Sequence, residues 1–172
     1  MKILQSDDFR QPENTPMTLN DFIYAPSLTA VLKQNTAAFS VRPIFSDTTH
    51  ILAEEIQYFP NISTIYAREV LLCLDNTPVV AARSICLPND AYWREILNCG
   101  TQSLGSRLFD GKTAWTRSDF TVVYQHSLLK QRFNRLPENI VALRTSLFEH
   151  NSQKLLLAEC FLPALKDFGF DK

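Results

Sequence analysis

The fold is decided by residues 68–88, Arg-Glu-Val-Leu-Leu-Cys-Leu-Asp-Asn-Thr-Pro-Val-Val-Ala-Ala-Arg-Ser-Ile-Cys-Leu-Pro. Two apolar runs flank Asp75-Asn76-Thr77-Pro78, a cluster of residues that favour turns. The stretch therefore predicts a β-hairpin with very little polar surface. Because side chains along a strand alternate between the two faces, Arg68 stands at the end of an apolar row that continues through Val70 and Leu72.

The two arginines are the unusual feature of this hairpin. A four-residue loop would pair Leu74 with Val79. In that register Arg68 lies opposite Ile85, and Arg83 lies diagonally beside Arg68 on the same face. Two guanidinium groups against an apolar sheet repel each other and lose hydration unless an anion lies between them. The rest of the chain, or a ligand, has to supply that anion.

The composition is that of one globular domain. The chain has 172 residues, of which 45% are hydrophobic, and its 12 Phe are ample for a single core. With 17 basic and 18 acidic side chains the net charge is −1, which gives no reason to expect nucleic acid or an anionic membrane as a partner. We expect a single domain over 1–172 and a monomer. Residues 1–16 are polar and lack periodicity, and are expected to form a loosely ordered arm.

The N-terminal segment and the cysteines predict a cytoplasmic protein. Residues 1–8 turn acidic after two apolar residues and never form the apolar core of a signal peptide. No run approaches the ~18 apolar residues of a transmembrane helix. The four cysteines contain no C-x-x-C pair and are expected to be inert core thiols: Cys73, Cys86, Cys99 and Cys160.

The other segments predict strands joined mostly by hairpins, with helices between them. Strands are expected at 40–44, 49–59, 117–124, 142–148 and 155–162. Pro43 makes the first of these an edge or bulged strand. Ser27, Asn89 and Ser103 are the expected N-caps of helices at 28–32, 90–99 and 104–109. The basic segment 126–137 is expected to be a solvated loop or helix face. This pattern indicates an α+β fold with a single antiparallel sheet of about six strands.

Glu159 is the acidic counterpart of the first hairpin. It lies on a strand face with Leu157 and Phe161, where a charged carboxylate is costly unless a cation compensates it. One interpretation is a buried ion pair between Arg68 and Glu159 with a structural role. Since burying such a pair often costs as much free energy as it returns, a ligand site that uses both groups is an equally good interpretation.

A third segment, 100–107, has the G-x-x-x-x-G spacing of a phosphate-binding loop. Ser106-Arg107 replaces the Lys-Ser/Thr that such a loop requires, and a helix is expected before it, so a nucleotide site is excluded. What remains is a helix start whose backbone N–H groups can bind a carboxylate, or an ordinary turn between helices.

Metal and cofactor sites have no support in the sequence. The three histidines are isolated, and four glycines are too few for a dinucleotide fingerprint. No G-x-S-x-G nucleophile elbow is present either. We expect neither a metal nor an organic cofactor.

Three segments, taken in order, resemble the signature segments of the chorismate pyruvate-lyase family, also called 4-hydroxybenzoate synthase. They are Arg-Glu-Val-Leu-Leu-Cys at 68–73, Leu-Gly-Ser-Arg-Leu-Phe at 104–109 and Leu-Ala-Glu-Cys-Phe-Leu-Pro at 157–163. The ordered set carries the resemblance, which runs from about Ser27 to Pro163.

The resemblance implies an antiparallel sheet with helices packed to one side and a small enclosed ligand pocket. It implies elimination of pyruvate from chorismate, leaving 4-hydroxybenzoate for ubiquinone biosynthesis, without a cofactor. By the family's motifs, the binding arginine is Arg68, the carboxylate is Glu159, and a backbone contact falls on Leu104. A further pocket residue is Leu28, at a position where the family often has Met.

The residues and the resemblance together give a hypothesis for the site. Chorismate is a dianion, and the protein needs only to orient it, desolvate it and shift protons. Arg68 and backbone N–H groups near Leu104 and Leu28 would hold the ring carboxylate. Glu159 would lie at the hydroxyl end of the ring and assist proton transfer.

Three alternatives stay open at this point. Arg83 is the candidate for the second, enolpyruvyl carboxylate, but it could instead pair with Glu69 or Glu55. The protein could be a non-catalytic module that binds a small aromatic acid, since ligand-sensing domains of some bacterial transcription regulators are similar in fold to this lyase. It could also be a lyase of the same family that gives a different hydroxybenzoate isomer.

Overall fold

The computed structural model describes residues 17–124 and 141–169, and in this part of the chain a single antiparallel sheet dominates. Its strands are β1 (Phe39–His50), β2 (Thr64–Leu74), β3 (Thr77–Cys86), β4 (Thr116–Arg117), β5 (Thr121–Val123), β6 (Ala142–His150) and β7 (Gln153–Phe161). The order across the sheet is β1-β2-β3-β7-β6, and β4 and β5 both pair with β6. The expected antiparallel α+β fold is confirmed. The expected strand at 117–124 is divided into β4 and β5.

Four short helices accompany the sheet: α1 (Leu19–Ile23) and α2 (Leu28–Lys33) precede β1, and α3 (Ala91–Leu97) and α4 (Leu104–Leu108) lie between β3 and β4. The side chains of Ser27 and Ser103 cap α2 and α4, as expected. The third helix is capped by Asp90, one residue after the expected Asn89. The sequence pattern did not predict α1, which starts at a capping box on Thr18. None of the described helices is long and apolar enough to cross a membrane.

The hairpin of β2 and β3 has a tighter turn than expected. Asp75 and Asn76 form the turn alone, with φ angles of 46° and 62°. Positive φ at both central residues is typical of a type I′ turn, whose twist matches that of the flanking strands. Leu74 therefore pairs with Thr77, and the predicted pairing with Val79 was wrong.

A β-bulge next to this turn sets the register of the rest of the hairpin. The pairing shifts near the turn, and beyond the shift Arg68 lies opposite Ser84 rather than Ile85. The predicted register was therefore wrong by one residue. Because a shift of one residue moves side chains to the other face of a sheet, Arg83 does not share a face with Arg68.

The edge strand β1 replaces the two strands expected at 40–44 and 49–59. It runs without a break through Ser46-Asp47, between the two expected strands. It has a register shift at Pro43, so the expectation of an edge or bulged strand there is confirmed. Residues 51–62 contain a short 3-10 helix at Ala53–Glu55 and no strand. Apolar residues of this segment pack against one face of the sheet. A short apolar run in the sequence does not show whether the segment is a strand or is buried without forming one.

The main core lies on the opposite face of the sheet, beneath the four helices. A single cluster of buried residues joins helix residues Ile23, Leu32, Trp93 and Leu108 to strand residues Val70, Val80, Phe148 and Phe161. The expected arm at 1–16 and the basic segment at 126–137 lie outside the described residues. The layer between helices and sheet is where the functional cavity is found.

Candidate active site

A cavity lies between the helices and the middle of the sheet. Alternate residues of β2, β3, β6 and β7 form its floor, and the beginnings of α2 and α4 form its roof. Small side chains in the floor, Ala82, Ser84 and Ser146, leave room above the sheet. The space between the lining atoms is about 530 Å³, including solvent at the mouth.

Four residues that the family resemblance singled out line this one cavity: Leu28, Arg68, Leu104 and Glu159. Leu28 and Leu104 are the first residues of α2 and α4. Arg68 is on β2 and Glu159 on β7, with β3 between them, so their backbones are about 10 Å apart across the sheet. The fold thus brings together residues that are far apart in the sequence.

Arg68 is a buried cation for which the described residues supply no carboxylate. It is 4% exposed. Its Nη2 donates hydrogen bonds to the carbonyls of Gly100 and Gln102, at 2.9 and 3.0 Å. Burial lowers the pKa of Arg68. Two neutral carbonyls fix the guanidinium beside the start of α4 without neutralising it, and an anionic ligand would do so.

Glu159 pairs with Arg144 and not with Arg68. The Nε of Arg144 donates to Oε2 of Glu159 at 2.5 Å, and both side chains are buried. The Nη1 of Arg144 donates to the carbonyls of Ile23 and Ala25, each at 2.8 Å. Arg144 therefore orients the carboxylate and anchors the connection between α1 and α2. Within 17–124 and 141–169, no donor is bonded to the Oε1 atom of Glu159, which leaves it for a ligand.

Arg144 is a site residue that the sequence reasoning missed, although the signal was present. The expected hairpin had its loop at 150–153, which pairs residue 149 with 154 and therefore residue 144 with 159. The structure has this register, with Arg144 opposite Glu159. The turn itself is tighter, formed by Asn151 and Ser152 with φ angles of 47° and 65°.

A third arginine, Arg117, lines the cavity from β4. It pairs with Phe148 of β6 and is half-buried. Its Nη1 donates to the carbonyl of Pro26 at 2.7 Å. Burial and the charge of Arg144 lower the pKa of Arg117, and the charge of Glu159 acts in the opposite direction. The sequence reasoning placed this residue in a strand and assigned it no function.

Arg83 lies outside the cavity, contrary to its proposed place beside Arg68. Its guanidinium donates to both carboxylate oxygens of Glu55, at 2.6 and 3.1 Å, and to Glu69 at 2.8 Å. Burial lowers the pKa of Arg83, but the bonds to Glu55 and Glu69 outweigh it and the net shift is upward. The alternative of ion pairs with Glu69 or Glu55 is therefore what the structure shows. The reason is the bulge near Asp75, which turns Arg83 to the other face.

The two helix starts that form the roof meet at Gly105. A Cβ atom added to Gly105 would lie 2.8 Å from Oγ1 and 3.1 Å from Cβ of Thr29 in α2. The first distance is shorter than a real Cβ shows and the second is a tight contact, so a side chain at position 105 would require α4 or Thr29 to shift. The glycine of the Leu-Gly motif therefore has a packing role in the roof.

We expect Gly105→Ala to destabilise the protein by about 1–3 kcal/mol and to weaken ligand binding, because α2 and α4 must move apart. Urea unfolding and titration with 4-hydroxybenzoate measure the two effects. The matched control is the double variant Gly105→Ala with Thr29→Ala, which removes the hydroxyl from the contact and should recover part of both losses. Unchanged unfolding of the single variant would show that the roof is not tightly packed.

The described residues contain neither an exposed cysteine nor a cluster of metal-binding side chains. All four cysteines are buried thiols. Burial raises the pKa of the Cys86 thiol to about 12 and also raises that of Cys99. A thiol with a raised pKa is a poor nucleophile at neutral pH. In residues 17–124 and 141–169, no group of three or more His, Cys, Asp or Glu side chains is arranged to hold a metal ion.

Among solved structures, the effector domain of PhnF from Mycobacterium smegmatis is similar in fold. The match has a TM-score of 0.51 and 6% sequence identity, and covers 82% of this chain and 90% of that chain. At this identity the likeness concerns the architecture alone.

Sequence comparisons are more specific. A protein from Pseudoalteromonas translucida named "Probable chorismate pyruvate-lyase" is 35% identical over 151 residues, which cover 83% of each chain. One of the same name from Nitrosomonas europaea is 31% identical over 165 residues, covering 90% of this chain and 92% of the relative. The family model for chorismate lyase matches residues 2–168. Since the match spans nearly the whole chain and includes every strand and helix around the cavity, the chain belongs to the chorismate lyase family.

Proposed function

We propose that this protein is a chorismate pyruvate-lyase that converts chorismate to pyruvate and 4-hydroxybenzoate. The observation that carries the proposal is the charge arrangement of the cavity. On one side lies the buried guanidinium of Arg68, which has no carboxylate partner in the described part of the chain. On another lies the buried carboxylate of Glu159, which Arg144 holds. A ring with a carboxylate at one end and a hydroxyl at the other is complementary to this arrangement.

The reaction needs orientation and proton transfer, and no redox step. The C4–H bond breaks as its proton is removed, and its electron pair completes the aromatic ring. The C3–O bond breaks at the same time, and enolpyruvate leaves and takes up a proton to become pyruvate. Because aromatisation drives the elimination, the protein contributes mainly by positioning the ring, excluding water and stabilising developing charge.

Arg68 would bind the ring carboxylate through a charge-assisted hydrogen bond. The N–H groups of Leu28 and Leu104, in the first turns of their helices, have no acceptor within those helices and would complete this carboxylate site. Glu159 would accept a hydrogen bond from the 4-hydroxyl group through its Oε1 atom and assist proton transfer. Val70 and Leu157 supply apolar walls for the ring.

The family resemblance, and not the geometry, suggests the wider context. We propose that the product is the 4-hydroxybenzoate used in ubiquinone biosynthesis and that the reaction takes place in the cytoplasm. The first statement depends on the identity of the product, which is open to direct measurement.

The deciding experiment incubates the purified protein with chorismate in the presence of a chelator. Chromatography follows 4-hydroxybenzoate, and a coupled assay follows pyruvate. Equimolar formation of both is the expected result. A different hydroxybenzoate isomer would make the protein a lyase of other product specificity. Intact chorismate together with binding of an aromatic acid would overturn the proposal in favour of a non-catalytic binding module.

A further inference from the structure

The charges of the side chains that line the cavity do not sum to zero. Among the described lining residues there are three arginines, Arg68, Arg117 and Arg144, and one carboxylate, Glu159. Arg144 and Glu159 neutralise each other in their ion pair. Three positive charges and one negative charge therefore leave two positive charges, on Arg68 and Arg117. A buried excess of positive charge is costly unless the ligand is an anion.

We propose that Arg117 binds the second, enolpyruvyl carboxylate of chorismate, an inference that rests on the proposed function. With Arg68 on the ring carboxylate, each unpaired arginine of the cavity then meets one carboxylate of the substrate. The net charge of the occupied site becomes zero.

The free donors of Arg117 suit this role. Only its Nη1 is engaged by an acceptor in the described residues, the carbonyl of Pro26. The guanidinium lies over the rings of Phe109, Phe120 and Phe148, at 5.7, 4.7 and 5.7 Å from their centroids. Aromatic faces restrict the orientation of a guanidinium but do not neutralise it. The Nε and Nη2 donors thus remain for a carboxylate in a fixed geometry.

The position of Arg117 also agrees with the structure of the substrate. The enolpyruvyl ether is on C3 of the ring, next to the C4 that carries the hydroxyl group. If Glu159 binds that hydroxyl, the second carboxylate must lie on the Glu159 side of the cavity. Arg117 is on this side, since β4 and β7 both flank β6 and the charges of Glu159 and Arg144 influence it directly. Arg68 lies on β2, which β3 separates from the strand of Glu159.

The other arginines near the sheet are less suitable. Arg144 already bonds to Glu159 and to backbone carbonyls. Arg83 is on the opposite face, where Glu55 and Glu69 neutralise it. In the described part of the chain, Arg117 is thus the cation that the second carboxylate can reach from the Glu159 end.

The test compares two ligands that differ in this carboxylate. 4-Hydroxybenzoate carries only the ring carboxylate, whereas 3-(1-carboxyvinyloxy)-4-hydroxybenzoate keeps the hydroxyl group, carries both carboxylates and, being aromatic already, cannot eliminate. We expect Arg117→Gln to weaken binding of the dicarboxylate by at least about 10-fold and that of 4-hydroxybenzoate by less than about 2-fold in calorimetric titrations. Arg68→Gln should weaken both ligands. Equal losses for both ligands in Arg117→Gln, or no loss for either, would overturn the inference.

A second variant guards against a purely structural effect through Pro26. Arg117→Lys keeps the charge but not the planar fork, so it should recover part of the dicarboxylate affinity if the role is in binding. Thermal unfolding of both variants shows whether either has lost its fold.

The binding and activity measurements together also distinguish the proposed lyase activity from the proposed role of Arg117. If the wild-type protein leaves chorismate intact while Arg117→Gln still loses only the dicarboxylate, the lyase activity is refuted and the role of Arg117 stands.

Discussion

Arg68→Gln is expected to lower kcat/KM for chorismate about 100-fold, equivalent to about 2.7 kcal/mol. The guanidinium is buried and held by the carbonyls of Gly100 and Gln102, so it is pre-oriented before a ligand arrives. Glutamine is uncharged and cannot offer the same fork of donors to the ring carboxylate. Steady-state kinetics with chorismate measure the loss, and titration with 4-hydroxybenzoate should show a parallel loss of affinity.

The matched control is Arg42→Gln. Arg42 is an exposed arginine on β1 that also donates to a backbone carbonyl, that of Asn76, at 3.0 Å. The substitution therefore makes the same chemical change outside the cavity, and kcat/KM should stay within about 2-fold of the wild-type value. Wild-type kinetics in Arg68→Gln would refute the assignment of the ring carboxylate to Arg68.

Arg144→Met is expected to lower the free energy of unfolding by about 3–5 kcal/mol. The substitution leaves Glu159 as a buried carboxylate without its cation and removes the donor to the carbonyls of Ile23 and Ala25. An unpaired buried charge is more costly than an apolar replacement of the whole pair. Urea unfolding at neutral pH measures the change.

The double variant Arg144→Met with Glu159→Leu is the informative control. It removes the unpaired carboxylate, so it should be more stable than Arg144→Met alone, although the backbone carbonyls still lack their donor. A result in which Arg144→Met unfolds within about 1 kcal/mol of the wild-type protein would mean that Arg144 does not organise this end of the cavity.

The variants of Arg68, Arg117 and Arg144 distinguish effects on ligand binding from effects on the stability of the fold. Arg68 and Arg117 have no carboxylate partner among the described residues, so their replacement should act mainly on ligands. Arg144 is neutralised by Glu159 and bonded to backbone carbonyls, so its replacement should act mainly on stability. The division follows from whether the protein already compensates each charge.

The fold is also similar to that of an effector domain, so the architecture does not by itself indicate the function of the cavity. An antiparallel sheet with helices on one face can serve binding or catalysis, and the fold alone does not decide between them. The charges inside the cavity are what the chemistry depends on.

Local sequence signals were sufficient for much of this structure. The apolar runs predicted both hairpins, and Ser27 and Ser103 predicted two helix starts, because strand alternation and N-caps depend on residues that are close in the chain. The apolar surroundings of Arg68 and Glu159 marked both as residues that need a partner. The segment at 51–62 was less predictable, since its apolar side chains are buried against the sheet without forming a strand.

The sequence by itself determined an antiparallel α+β fold, the family resemblance and the choice of Arg68 and Glu159 as candidate site residues. Only the tertiary structure decided which charges meet. The bulge beside the Asp75-Asn76 turn moved Arg83 to the other face, where it meets Glu55 and Glu69, and Arg68 bonds to two backbone carbonyls instead of Glu159. The geometry of a turn sets the register of the two strands that it joins. A change of one residue in that register moves a side chain to the other face of the sheet. That is why Arg68 and Arg83 could be chosen from the sequence but their partners had to be found in the structure, whereas the register of the β6–β7 hairpin already placed Arg144 opposite Glu159.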